Sequence, residues 1–346
     1  MRFGKDVFED MRQSGLPKNH YLDPDGKCGQ DYADRLFNVL DKLSKKLDHK
    51  KFAALINKKL QLRVERFCEP QYVQIACEVA AMADFLDRED IVFDYEKKVS
   101  PPGDVDFSIS RNGISINVEV KCASYLNIED EDPNRIVATF LGRTDFREDI
   151  LRVVSAPLAE NGLTMVEGKN RDNTVKGFLK CSQKKMLGSS LDDINVVILC
   201  CDSALDVQQW RGYLVDSRGI LTGKSPLLLP AEIDRIDFVL VTNLFDRNFG
   251  YRQDQVPGDN WSLGDAFCLL YPNRFSKRNI NLVDGSKDFD RLGEIFPNHS
   301  RNFEDFMRDD LNVPEGESPE MKLILGVAWF SDGLEEKGMK YFSSKG

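Results

Sequence analysis

Histidine is scarce in this chain, three residues in 346 and widely separated. That argues against a zinc site and against a nuclease built on a His–metal pair. The eight cysteines (Cys28, Cys68, Cys77, Cys122, Cys181, Cys200, Cys201, Cys268) form no C-x-x-C pair. Several lie inside apolar stretches, where a thiol behaves as a small core side chain. Reduced thiols in a cytoplasmic setting are expected rather than a disulfide framework. No apolar run approaches the roughly 18 residues of a membrane span, and MRFGKDVFEDMRQSG at the N-terminus lacks the apolar centre of a signal peptide. The expectation is an intracellular protein that does not engage a membrane. Gly142, Gly162, Gly168 and Gly177 do not compose a phosphate-cradling loop ending in Lys-Ser/Thr, so a nucleotide-driven motor is not indicated. Internal repeats, heptads and low-complexity linkers are also missing.

What is present suits an ordinary globular protein, with 41% apolar and 30% charged residues. The length allows one large α/β domain or two smaller ones. The net charge of −10 argues mildly against a polyanionic partner, but the charge is unevenly spread. Residues 42–66 carry Lys42, Lys45, Lys46, Lys50, Lys51, Lys58, Lys59, Arg63 and Arg66 against Asp48 and Glu65, whereas 284–320 is acidic. Such a run either guides a polyanion, with Lys50 and Lys51 as weak candidates for substrate contact, or is a solvated helix face. Aromatics do not interleave with it, which disfavours a single-strand stacking platform.

Apolar spacing predicts two amphipathic helices over 31–66, giving a basic helical section over 1–69. A helix opening at Pro70 carries Tyr72, Ile75, Ala76, Val79, Met82, Ala83 and Leu86. Strands follow at 91–99, 104–110 and 114–121, then a helix over 172–187 and a buried strand at 194–200. An insertion of about 122–171, with acidic IEDEDP and a helix over 145–160, interrupts this order as a substrate loop or a dimerisation arm. Further strands are predicted at 236–243 and 323–330, with a loop over 249–261 between them. All of 70–346 then reads as one elaborated domain.

The most informative stretch is VSPPGDVDFSISRNGISINVEVKC, residues 99–122. Val105, Phe107 and Ile109 alternate with polar residues, as do Ile114, Ile116, Val118 and Val120, which marks two strands with one face on a core. Asn112-Gly113 between them is a strong two-residue hairpin signal. That turn pairs Arg111 with Ile114, so Asp106 falls opposite Glu119 and Asp104 opposite Lys121. Asp106, Glu119 and Lys121 then share the face opposite the apolar one. Directly opposed carboxylates repel, and a hard divalent cation between them, Mg²⁺ or Mn²⁺, turns the conflict into a binding site. The plain alternative is an exposed polar hairpin with an Asp104–Lys121 ion pair.

The pattern Asp106…Glu119-Val120-Lys121 on paired strands, after Pro102-Gly103, resembles the PD-(D/E)XK nuclease superfamily. Acid-x-Lys recurs elsewhere, for example at Glu96/Lys98, but only the 119–121 copy lies in an alternating strand facing another acid. Gly103 departs from the family pattern and leaves Asp104 and Asp106 both eligible; the register favours Asp106. The resemblance implies an α/β restriction-endonuclease-like fold with an α-β-β-β-α-β core, a mixed central sheet, a helical N-terminal section and insertions. It implies a Mg²⁺-dependent nuclease of restriction, repair or phage-defence type, acting on DNA or alternatively RNA. Asp106 and Glu119 become metal ligands with the Val120 carbonyl as a third oxygen. Lys121 orients water or stabilises developing charge, its pKa depressed by a neighbouring cation. The further helix acid is either Glu78 or, if Glu78 is a flank residue facing solvent, absent. Gln183 and Lys184 resemble helical substrate-phosphate contacts. A catalytically silent binding or scaffolding relative is the rival reading, and a homo-oligomer or partner subunit stays open.

Overall fold

A sheet covered on both faces must be apolar on both, and the central strands of this chain meet that condition in alternate residues. In the computed structural model, residues 3–23, 28–111, 113–122, 134–138, 147–167, 171–215, 218–225, 227–250, 258–278, 295–297 and 333–337 are described. Six strands form a mixed sheet, β1 (Val92–Tyr95), β2 (Phe107–Arg111), β3 (Ile114–Cys122), β6 (Ile194–Cys200), β7 (Phe238–Thr242) and β8 (Cys268–Pro272), in the order β1-β2-β3-β6-β7-β8. Strands β3, β6 and β7 are parallel, while β1, β2 and β8 pair antiparallel at the two sides. On β6, Val196, Ile198 and Cys200 enter one core while Val197 and Leu199 enter the other. This double burial is the usual condition of parallel strands.

The first core is built from the N-terminal helices. Helix α1 (Lys5–Gln13) buries Phe8 and Met11, and α2 (Gly29–Lys46) buries Leu36, Val39, Leu40 and Leu43 at three- and four-residue spacing. Helix α3 (His49–Ala54) starts where the Asp48 carboxylate accepts the Lys51 N–H at 2.9 Å, and runs into a π-helical turn, Leu55–Lys59. Helix α4 (Glu69–Leu86), with Pro70 in its first turn, is buried nearly all round because it lies between these helices and the sheet. The core is continuous from Phe8 through α4 to Leu270, so the described part of 1–69 packs into the same core as the sheet. The second core joins the opposite sheet face to α6 (Arg171–Met186) and α7 (Ala204–Val215), through Leu179, Met186, Val207 and Trp210.

The succession α4-β1-β2-β3-α6-β6 follows the expected order. Between β3 and α6 the insertion contains β4 (Arg135–Ala138), α5 (Arg147–Glu160) and β5 (Thr164–Glu167), with β4 and β5 paired parallel as a second sheet. The pairing runs from Phe107↔Val118 to Arg111↔Ile114, the register that a two-residue loop requires. Gly113 takes a positive φ of 80°, while Asn112 lies outside the described residues. So do the predicted strand at 323–330, the IEDEDP stretch, most of 284–320 and residues 251–257 of the predicted loop.

Two expectations about the hairpin are corrected. Strand β1 stops at Tyr95 rather than Val99, because Glu96 adopts a left-handed backbone with φ 51°. Opposite that kink β2 begins only at Phe107, and Val105 packs into the second core while Phe107 and Ile109 pack into the first. Nor is the face bearing Glu119 an open polar one, since α6 and the second core cover it. Periodicity also did not single out β8 or the helices α7 and α8 (Leu244–Gly250). Among the described residues, no helix is long and apolar enough to cross a membrane.

His20 ties the N-terminal turns to this core. Its Nε2 lies 2.9 Å from the Leu60 carbonyl and its Nδ1 accepts the Leu22 N–H at 3.1 Å, which assigns the proton to Nε2. Burial pushes its pKa down from 6.5 to about 4, against a smaller opposing pull from the Leu60 carbonyl. Unfolded, the ring protonates first as pH falls, so the stability its neutral form contributes is full above about 6.5 and is lost towards 4. Relative to His20→Gln, the wild type should lose up to about 3 kcal/mol across that window in urea unfolding. Parallel pH profiles of the two proteins would contradict this.

Candidate active site

The site forms where the β2–β3 ladder ends. Phe107↔Val118 is its last pair, so one step further the Val120 N–H has no β2 carbonyl to meet. The carboxylate of half-buried Asp106 takes that role, its Oδ2 accepting the Val120 N–H at 2.6 Å. Glu119, the neighbouring residue on β3, projects from the α6 face and is fully buried. Its Oε1 accepts from Lys121 Nζ, and Lys185 Nζ reaches the same oxygen at 2.6 Å. Its other oxygen, Oε2, is buried with no hydrogen-bond partner. Side-chain exposure is only 16% for Lys121 and 24% for Lys185, so both cations are mostly withdrawn from water.

Helix α4 brings a third acid. Glu78 is buried, and burial followed by the Asp106 and Glu119 charges pushes its pKa up to about 8, with Lys59 and Lys121 pulling the other way. Burial and then Glu119 raise Asp106 to about 6, opposed by the Val120 N–H, Lys185 and Lys121. Glu78 and Asp106 therefore resist ionisation beside Glu119, and three lysines partly offset the crowding. Lys121 departs from expectation: burial works against its charge, but Glu119 and Asp106 outweigh this and raise its pKa.

Asp106, Glu119, Lys121 and Glu78 thus come together from three separate segments. Gln183 does not join them. Its amide is used up on the β6–β7 connection, donating to Asp234 Oδ1 and accepting the Arg235 N–H, both at 2.8 Å. Lys184 is exposed on α6, and it is its neighbour Lys185 that turns inward. In the basic run Lys50 is exposed, and Lys51 donates to the Tyr95 carbonyl at the end of β1. Lys59 bonds Glu96 at 2.7 Å and the Tyr95 hydroxyl at 2.9 Å, within electrostatic reach of Glu78. No ion pair joins Asp104 to Lys121.

Lys185 and Lys59 are the site residues that pattern reading missed. Lys185 carried a signal: three residues after Ser182 and seven after Phe178, it continues the inward stripe of α6. Its seating depends on Gly188. A Cβ there would stand 2.4 Å from the Val99 carbonyl oxygen, so only glycine lets the end of α6 approach the 99–103 loop. Lys59 had no such signal, because a π turn rather than an α turn sets its direction.

Comparison with protein-family models, curated proteins and solved structures finds no match. The reading of this site therefore rests on its own chemistry. Donors at Asp106 and Glu119 are hard oxygens, and the unpartnered Glu119 Oε2 is an orphan that a hard cation would satisfy. Glu78, Asp106 and Glu119 do not bring three carboxylate oxygens that close: among the described residues only a group of three cysteines places three ligating atoms within 4.8 Å of one another.

Removing one cation should expose how far Glu119 depends on its clamp. In chelator, Lys185→Met is expected to lose about 2–3 kcal/mol, since a buried carboxylate keeps only one counter-charge. Adding Glu119→Gln should recover part of that loss in chemical denaturation. Strictly additive losses would show that the two side chains are not coupled.

Proposed function

We propose that this chain is a divalent-metal-dependent phosphodiesterase acting on nucleic acid, with DNA the favoured substrate, on a restriction-endonuclease-like core. One observation carries the reading: a β-bend acid, a strand acid with a buried unpartnered oxygen and a lysine two residues later converge at one point. A scaffold gains nothing from burying opposed carboxylates, whereas phosphodiester hydrolysis needs concentrated, neutralised charge.

Asp106 and Glu119 would hold Mg²⁺ or Mn²⁺. The N–H and C=O of one strand residue point to the same edge, so the Val120 carbonyl shares the edge on which its N–H meets Asp106. When bound, the ion would supply Lewis acidity and lower the pKa of a coordinated water. Lys121, held between Glu119 and the partly open side of the site, is placed to orient the attacking water or to stabilise charge on the phosphate. Lys185 holds Glu119 in position from α6. Glu78, with a pKa of about 8, carries a proton near neutral pH and is suited to transfer it locally. Exposed Lys46, Lys50 and Lys58 are left to contact the phosphate backbone.

A silent binding subunit is the second reading, and the double lysine clamp on Glu119 Oε1 favours it, because a self-neutralised acid has less need of an ion. Mg²⁺ or Mn²⁺ separates the two. For the phosphodiesterase, either ion raises the melting temperature by mass action, and plasmid, linear duplex, single-stranded DNA or RNA is cut. Lys121→Ala should abolish cutting and retain nucleic-acid binding. Asp106→Asn should lose both metal stabilisation and cutting, while Asp104→Asn should cost at most about 1 kcal/mol. Melting unaffected by either ion, with no cutting of any substrate, would sink the enzymatic reading.

A further inference from the structure

On the other side of the same strand lies a second group of ligating atoms. Cys77 on α4, Cys122 at the end of β3 and Cys200 at the end of β6 place their sulfurs within 4.8 Å of one another. Cys122 and Cys200 are direct partners in the parallel β3–β6 register, and Cys77 meets them from the helix above. All three are free thiols; Cys77 and Cys200 are buried and Cys122 is half-buried. Each thiol is linked by hydrogen bonding to the other two.

We propose that Cys77, Cys122 and Cys200 form a binding site for one soft, thiophilic metal ion, zinc or copper(I). Thiolates at about 2.3 Å from such an ion stand about 3.8 Å apart in a tetrahedral arrangement and about 4.0 Å apart in a trigonal one. A spacing of at most 4.8 Å needs at most a modest contraction to reach either. An all-sulfur donor set selects copper(I) or zinc and disfavours Mg²⁺, so the site is chemically separate from the hard-oxygen site at Asp106 and Glu119. On binding, three S–M bonds form and the thiol protons leave to solvent, with no electron transfer, so occupancy rises with pH.

The placement gives the ion a consequence. Cys77 precedes Glu78 and Cys122 follows Lys121, so a bound ion cross-links α4, β3 and β6 directly behind two residues of the acidic site. It fixes the helix that carries Glu78 to the strand that carries Lys121. Binding itself does not depend on the phosphodiesterase reading and is measured without substrate.

The experiment titrates the full chain, reduced with a phosphine at mildly alkaline pH, with Cd²⁺ as a spectroscopic probe. A thiolate-to-cadmium charge-transfer band should saturate at one ion per chain and persist in Cys181→Ala, an exposed cysteine outside the group. Cys122→Ala, the least buried of the three, should weaken binding at least tenfold while keeping its circular dichroism spectrum. Competition with Zn²⁺ or Cu(I) then identifies the ion held more tightly. X-ray absorption of the zinc-loaded wild type, which depends on no variant, should count three sulfur neighbours. No saturable band, an undiminished band in folded Cys122→Ala, or a nitrogen and oxygen shell around zinc would each overturn the proposal.

Discussion

Glu119 is a carboxylate with no access to water, set in the middle of a sheet packed on both faces. Isolating such a charge in an apolar interior costs several kcal/mol unless it is paired. Its surroundings answer that cost from two directions at once. Lys121 comes from the same strand and needs no tertiary contact beyond its own side chain. Lys185 comes from α6 and reaches Glu119 only because the helix end sits close on the 99–103 loop at Gly188. The packing of the second core and the electrostatics of the site are therefore one constraint rather than two.

Helix α4 links that constraint to the rest of the molecule. It is apolar on nearly every side because helices lie against one face and the sheet against the other. A carboxylate on such a helix has few places to go, and Glu78 is buried within electrostatic reach of Asp106, which stands in the gap where β2 has left the ladder. The same gap lets Asp106 cap the Val120 N–H. The kink at Glu96 thus does more than shorten an edge strand: by ending regular pairing it makes room for two acids to approach a third.

The hairpin was legible in sequence because its rules are short-range. Asn-Gly fixes a register, alternation fixes faces, and Phe107 to Val118 pair as those rules demand. The rules fail at Val105 and Asp106, where a backbone kink in a different strand decides the outcome. Lys185 continues the stripe of α6, whereas motif likeness points to its neighbour Lys184 as a substrate-phosphate contact. Gln183 was drawn toward the site by the same likeness, although its amide serves a turn more than fifty residues away. The thiol group was invisible for another reason. Cys77, Cys122 and Cys200 are far apart in sequence and fit no ligand spacing, so each read as an ordinary small core side chain. Parallel pairing of β3 with β6, which no local pattern specifies, is what brings two of them side by side.

A cation entering the acidic site would meet lysines rather than bulk water, which changes what governs its binding. The carboxylates are already partly neutralised, Glu119 by two ammonium groups and Asp106 by a proton below about pH 6. Binding of the proposed ion would then be an exchange, displacing protons and loosening lysines. On the proposed reading each displaced lysine would gain freedom to face an incoming phosphate, and ion binding and substrate binding would reinforce one another through the same two side chains. A hydrophobic substitute for Lys185 would remove that exchange without touching a ligand, leaving Glu119 more available to the ion but the fold less able to hold it alone. Under the proposed metal role, stability without metal and affinity for metal would pull in opposite directions at this position, the trade expected of a buried charge kept for function.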